Sequence, residues 1–190
     1  GYAVKLGIGN DKRFFDLIYF KAKDRENSIS DSLTRAKLKP EENFGLGVSS
    51  LLTFLKHYKL GFTAATSVYT YDTSADSIGI GNDIPMANVL QKVIKIRSTT
   101  QLQWAGEVNG GIHYDKFSIT AQYKQIEPYY RSMGIVSFLS DLKSLSISPS
   151  FSLFKGKMNF TNNFMFMHDN LNKYKQFTTY RNNYWKNDLP

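Results

Sequence analysis

The sequence predicts an all-β fold, an antiparallel up-and-down meander, and three observations carry that prediction. Apolar and polar residues alternate with period two in one segment after another, which is the pattern of a strand with two unlike faces and not the 3.6-residue pattern of a helix. The connections between these segments alternate short and long through the whole chain. Aromatic residues make up 15% of the 190 residues and β-branched residues are plentiful, a composition that suits a pleated surface and argues against disorder.

In chain order, the first strand is expected from Tyr2 to Gly9 and the second from Phe14 to Ala22, joined by Asn10-Asp11-Lys12, whose Asn and Asp supply turn chemistry. Phe44 to Leu55 and Lys59 to Tyr71 form the next pair around Lys56-His57-Tyr58. The fifth strand sets Leu102, Trp104, Gly106, Val108, Gly110 and Ile112 against Gln101, Gln103, Glu107, Asn109 and His113. After Tyr114-Asp115 the sixth sets Phe117, Ile119, Ala121 and Tyr123 against Lys116, Ser118, Thr120, Gln122 and Lys124, so the two read as a tight hairpin.

The seventh strand, residues 144 to 154, is the clearest. Ser144, Ser146, Ser148, Ser150 and Ser152 point one way and Leu145, Ile147, Pro149, Phe151 and Leu153 the other. Pro149 lacks a ladder donor and points to an edge position or a bulge. Beyond Lys155-Gly156, Met158, Phe160, Phe164 and Phe166 oppose Asn159, Thr161 and Asn163 in the eighth, and Phe177 to Tyr184 is the ninth. The long polar connections are Lys23 to Asn43, Asp72 to Thr100, Ile126 to Lys143 and, shorter, His168 to Lys175; Val93, Ile94 and Ile96 are β-formers that extend strand into the end of the second.

Several of these nine strands approach the ~9–11 residues of a tilted strand crossing a bilayer. Short turns on one rim and long loops on the other are the arrangement of outer-membrane barrels, so the expected fold is a transmembrane β-barrel or a segment of a larger one. Tyr58 and Tyr114 at the turns, Tyr69, Tyr71, Tyr129 and Tyr130 near the opposite ends, and Trp104 would then form interfacial girdles. The apolar set would face hydrocarbon and the polar set the lumen, which makes Gln103, Glu107, Asn109, Lys116, Thr120, Gln122 and Lys124 the candidate ligand-binding residues. In a soluble, lipocalin-like ligand-binding barrel the faces invert, and Trp104, Val108, Phe117 and Ile119 line a cavity. Long loops favour the membrane version. Bacterial barrels close with an even strand count, so residues 1–190 read as a single β-barrel region, an interior fragment of a larger barrel, unless one strand is miscounted.

Composition narrows the chemistry. There is no cysteine, so disulfides, thiol nucleophiles and zinc ribbons are excluded. No run approaches the ~18 apolar residues of a membrane helix, and Gly1-Tyr2-Ala3-Val4 shows neither an initiator Met nor a leader. His57, His113 and His168 are more than fifty residues apart, and His168-Asp169 would project to opposite faces of a strand, so no metal site is expected. Gly7-Ile8-Gly9-Asn10-Asp11 recurs as Gly79-Ile80-Gly81-Asn82-Asp83 without the Lys-Ser/Thr of a nucleotide loop; turn composition explains both copies, with weak calcium binding in the second as the alternative. No G-x-S-x-G elbow is present, and Ser118 with His113 is a pairing any polar hairpin offers. The net charge of +8, with Lys173-Tyr174-Lys175 and Tyr180-Arg181, lacks the motif of a nucleic-acid module and suits acidic ligands or anionic surface glycolipids.

Three stretches resemble a known family. Tyr19-Phe20-Lys21-Ala22-Lys23-Asp24 with Asn27-Ser28-Ile29, then Glu127-Pro128-Tyr129-Tyr130-Arg131-Ser132-Met133-Gly134, and His168-Asp169-Asn170-Leu171 with Thr178-Thr179-Tyr180-Arg181 resemble segments of large outer-membrane β-barrel proteins of Bacteroidota. The resemblance implies a bacterial outer-membrane location and a barrel longer than this chain. The functional expectation is therefore an integral outer-membrane protein of the cell envelope with a structural, assembly or porin-like transport role. It would have no chemistry and no cofactor of its own, and its partners would be outer-membrane lipid, lipopolysaccharide and other envelope proteins, not nucleic acid.

Overall fold

The computed structural model describes residues 1–25, 39–79, 92–134, 139–172 and 183–187. Within them nine strands form one antiparallel sheet, each hydrogen-bonded to its neighbours in sequence. They are β1 Tyr2–Asn10, β2 Arg13–Lys23, β3 Glu42–Phe54, β4 Tyr58–Thr70, β5 Thr100–Tyr114, β6 Phe117–Ile126, β7 Leu142–Leu153, β8 Met158–Asp169 and β9 Asn183–Asn187. The antiparallel meander is as the alternation predicts, and β1 to β8 match the expected strands to within a few residues.

Turn chemistry sets the register. Asn10 Oδ1 accepts the backbone N–H groups of Lys12 at 2.9 Å and Arg13 at 3.1 Å, an Asx turn that leaves only two residues between β1 and β2. Leu55 and Lys56 take φ of 49° and 61° between β3 and β4, and Phe154 and Lys155 take 51° and 57° between β7 and β8, followed by Gly156 at 90°. Such left-handed conformations match the right-handed twist of the strands they join. Since these turns join β1–β2, β3–β4, β5–β6 and β7–β8, they share one end of the sheet, and the long connections share the other. The order of connections predicts this segregation.

Each pair keeps one register along its length, with no extra residue. Pro149 thus marks neither an edge nor a bulge. β7 is an interior strand, and Pro149 pairs with Ile119 of β6. On the β8 side the ladder lapses at Ser148 and Pro149 and resumes in the same register from Ser150 and Thr161, so the missing N–H is absorbed by a local gap.

Two expectations are corrected here. Val93, Ile94 and Ile96 are not strand: Ile94 is buried with Phe44 and Val68, and Val93 and Ile96 pack beside them with Tyr19 and Leu46. They cover the loop end of the sheet, held by the Lys21 ammonium on the Val93 carbonyl at 2.6 Å and by a Ser77–Arg97 bridge. The second correction concerns closure. Among the described residues β1 pairs only with β2 and β9 only with β8, so the sheet is open. As described, it is neither a closed transmembrane barrel nor a closed lipocalin-like barrel. A local alternation fixes which residues share a face, but closure also needs the first and last strands to meet, and they do not. The ninth strand begins at Asn183; the expected stretch before it, 177–182, lies outside the described residues.

The turn between β1 and β2 yields the first test. A Cβ added at Gly9, where φ is +126°, would lie 2.1 Å from the Arg13 carbonyl oxygen, whereas at Gly156, with φ +90°, nothing lies within 4 Å. Gly9→Ala is expected to cost about 2–4 kcal/mol in urea denaturation and Gly156→Ala about 1–2 kcal/mol, the backbone penalty alone. Equal costs would mean that the close approach at Gly9 does not shape the hairpin.

Candidate functional site

The constant register sorts the side chains into two faces. Tyr2, Val4, Leu6 and Ile8 of β1 stand opposite Lys21, Tyr19, Leu17 and Phe15 of β2. The same face continues through Val48, Phe62, Val108 and Tyr123 to Leu145 and Phe166. The other face is mostly polar, with Phe14, Ile18, Phe20 and Leu51 as apolar members on β2 and β3: Lys5 pairs with Asp16 at 2.8 Å, Ser49 with Thr63 at 3.2 Å, Ser150 with Thr161 at 3.2 Å, and Ser148 donates to Asn163 Oδ1 at 3.0 Å.

Burial follows the end of the sheet and not polarity. Ile8 is 76% exposed, Leu6 65% and Leu102 63%, while Asn43, Ser67 and Gln103 are 0%, 1% and 5% exposed. The apolar residues that are buried, Phe44, Val68, Tyr69, Ile94, Ile126 and Leu142, all lie at or near the loop end. A contiguous apolar surface of more than a few hundred Å² is uncommon on a monomer and marks a contact site. The apolar face is thus the candidate functional surface. A depression of about 380 Å³ crosses it, lined by Leu17, Phe44, Leu46, Val48, Ala64, Thr66, Val68 and Leu102, because β4 and β5 present only Ala64 and Gly106 as opposed residues there. The Trp104 ring stands beside it, 3.4 Å from where a Gly106 Cβ would lie.

The polar face holds the candidates expected from the sequence, but an open sheet has no lumen for them to line. Glu107 stands opposite Lys124, and Asn109 opposite Gln122, with Asn109 Nδ2 donating to Glu107 Oε1 at 3.4 Å. Thr120 is exposed between Gly111 and Ser148. Lys116 lies in the β5–β6 turn, away from the others. Gln103 is buried beside Ser67, donating to Gln101 Oε1 at 2.7 Å, and among the described residues its side-chain Oε1 has no partner.

Sequence reasoning missed a network at the loop end of this face. Asn43 Nδ2 donates to Ser67 Oγ at 2.7 Å and to the Val68 carbonyl at 3.2 Å, and its Oδ1 accepts the Met133 N–H at 3.1 Å. Ser67 Oγ donates to the Arg131 carbonyl at 2.6 Å. The Arg131 guanidinium reaches Glu41 at 3.2 Å and lies 5.0 Å from the centre of the Tyr69 ring, whose hydroxyl donates to Glu41. Burial, and then the Glu41 carboxylate, push the Tyr69 hydroxyl far above its ordinary range. Buried polar groups must be paired, and this network is how residues 127–134 are held on the sheet. Its members come from three separate segments, and no local spacing announces them.

The tyrosines expected as girdles do other work. Tyr58 and Tyr114 bring their hydroxyls to 3.4 Å at the turn end, and Tyr69 is buried in the network. His57 and His113, distant in sequence, meet there: His57 Nδ1 lies 2.8 Å from the His113 carbonyl oxygen, and the His57 ring stacks on Tyr114. His113 pairs across the hairpin with Ser118, but among the described residues its Nδ1 has no hydrogen-bond partner to orient it. His168 lies near the other end, opposite Lys143. Among the described residues no three His, Cys, Asp or Glu side chains converge on one point. The second Gly-Ile-Gly-Asn-Asp copy, apart from Gly79, and the basic stretches 173–175 and 180–181 lie outside the described residues.

Compared with known proteins, the chain matches no family model, no curated protein and no solved structure. The resemblance to large outer-membrane barrels of Bacteroidota is corrected on the fold: those proteins are closed, and this sheet is open. In hydrocarbon every backbone N–H and C=O must be paired, which an open edge cannot provide. The integral outer-membrane, porin-like and transport reading, the bacterial outer-membrane and cell-envelope location, and the membrane lipid, lipopolysaccharide and envelope-protein partners rested on closure and fall with it.

The raised Tyr69 hydroxyl has a pH consequence. The native state holds this proton more tightly than the unfolded chain, so its stabilisation is complete below the ordinary tyrosine value of 10.0 and is lost as pH rises above it. The urea midpoint should hold from pH 7 to 9.5 and fall above pH 10. Tyr69→Phe should lower the unfolding free energy by about 1–2 kcal/mol at pH 7 through loss of the Glu41 hydrogen bond and flatten the fall above pH 10. An unchanged alkaline slope in that variant would remove Tyr69 as its cause.

Proposed function

We propose that this chain is an assembly module, without chemistry of its own, whose working surface is the apolar face of its sheet. One observation carries the reading: large apolar side chains such as Leu6, Phe62, Leu102, Val108 and Phe160 are exposed together on one face of the sheet. A sheet with one apolar face is stable only when that face is covered by a further layer, and the described chain supplies such a layer at the loop end alone. A catalytic reading lacks support of this kind, since among the described residues Ser118 and His113 have no third group to complete them.

The absence of cysteine allows a direct test. Val108→Cys on the apolar face and Thr120→Cys on the polar face can each be exposed to a charged maleimide, in buffer and with non-ionic detergent micelles as a generic apolar surface. Thr120→Cys is expected to react in both, and Val108→Cys to be protected at least tenfold in one or both. Equal reaction of the two in both media would overturn the reading.

A further inference from the structure

Within that reading, we infer that the layer covering the apolar face is the same face of a second copy of this chain. Four features of the sheet lead to a copy. The first is area. Setting aside the rim already covered by residues 93–96, eight strands spaced ~4.8 Å apart and about eight residues tall at ~3.3 Å each present roughly 1,000 Å². That exceeds the ~800 Å² per partner of a stable association, and the two faces together reach the class of permanent homodimers.

The second is charge. On β1 to β8 the charged residues of this face, Arg13, Lys21, Lys23, Glu42 and Lys143, fall at strand ends. Two copies packed through its middle keep their +8 charges on outer surfaces, where water screens them. The third is relief. The depression floored by Ala64 lies at mid-sheet, and Trp104, 41% exposed, stands beside it. A two-fold axis between them seats each copy's Trp104 over the other's depression, the reciprocal fit of an isologous interface.

The fourth is precedent within the chain. Ile94, from the connection between β4 and β5, already lies on this face against Phe44 and Val68 and is 2% exposed. The face therefore accepts an apolar second layer wherever one is supplied. Two sheets facing across ~10 Å at about −30° form a sandwich, a geometry that needs no closure of either sheet.

Sedimentation equilibrium of the full chain without detergent, with the thiol-protection assay above, tests this. The expected mass is twice the 21.7 kDa of the chain, with Val108→Cys protection rising with protein concentration. Ala64→Arg fills the depression and Val108→Lys places charge on the face. Both should raise the dissociation constant at least tenfold with an unchanged far-UV circular dichroism spectrum, while Thr120→Lys leaves it unaltered. A monomer whose Val108→Cys is protected only by micelles would overturn the second copy and leave the assembly reading standing; a monomer unprotected in both media would overturn both. Open-ended growth in buffer, or a dimer insensitive to Ala64→Arg and Val108→Lys, would place association at the strand edges and overturn the inference.

Discussion

The feature on which the rest depends is the unbroken antiparallel register from β1 to β8. Side chains in a strand alternate with period two, so a single inserted residue would send every later side chain to the opposite face. No pair contains one. Most large apolar residues of eight strands, separated by more than a hundred positions in sequence, therefore come out on one surface, and most of the charged, hydroxyl and amide side chains of the strand middles on the other. The tight turns keep that count, with an Asx turn between β1 and β2 and left-handed residues between β3 and β4 and between β7 and β8.

A single layer sorted in this way has little interior. The chain makes one at the loop end, where Ile94 covers Phe44 and Val68 on the apolar side, and Asn43, Ser67 and Arg131 bind residues 127–134 to the polar side. Towards the turns no such cover exists among the described residues, and Leu60, Phe62 and Val108 are left exposed. The stability of the middle of the sheet and its interaction with a partner are therefore one physical question, since the same side chains must serve both. This is the physical ground of the assembly role proposed above.

Which solvent the apolar face meets could not be settled from periodicity, because strands that line a barrel, span a bilayer or pack in a sandwich alternate alike. The loop-length pattern favoured a membrane barrel, yet it reports only that successive strands are antiparallel and that one end carries the elaborated connections. An open meander satisfies it equally. Closure is a relation between β1 and the last strand, and no segment of sequence encodes it locally.

The sequence by itself determined what period-two alternation and turn chemistry can encode: the strands, their antiparallel order, the two faces, and the end of the sheet where the long connections gather. Pairs such as Glu107 with Lys124 and His113 with Ser118 follow from hairpin register, so they too were legible. Only the tertiary structure decided that the sheet stays open, that Val93, Ile94 and Ile96 cap the face and do not extend β5, that Lys116 stands apart in a turn, and that Asn43, Ser67, Tyr69 and Arg131 form one network. These outcomes depend on contacts between residues tens of positions apart, whose energies depend on burial and geometry that no local pattern of residue types specifies.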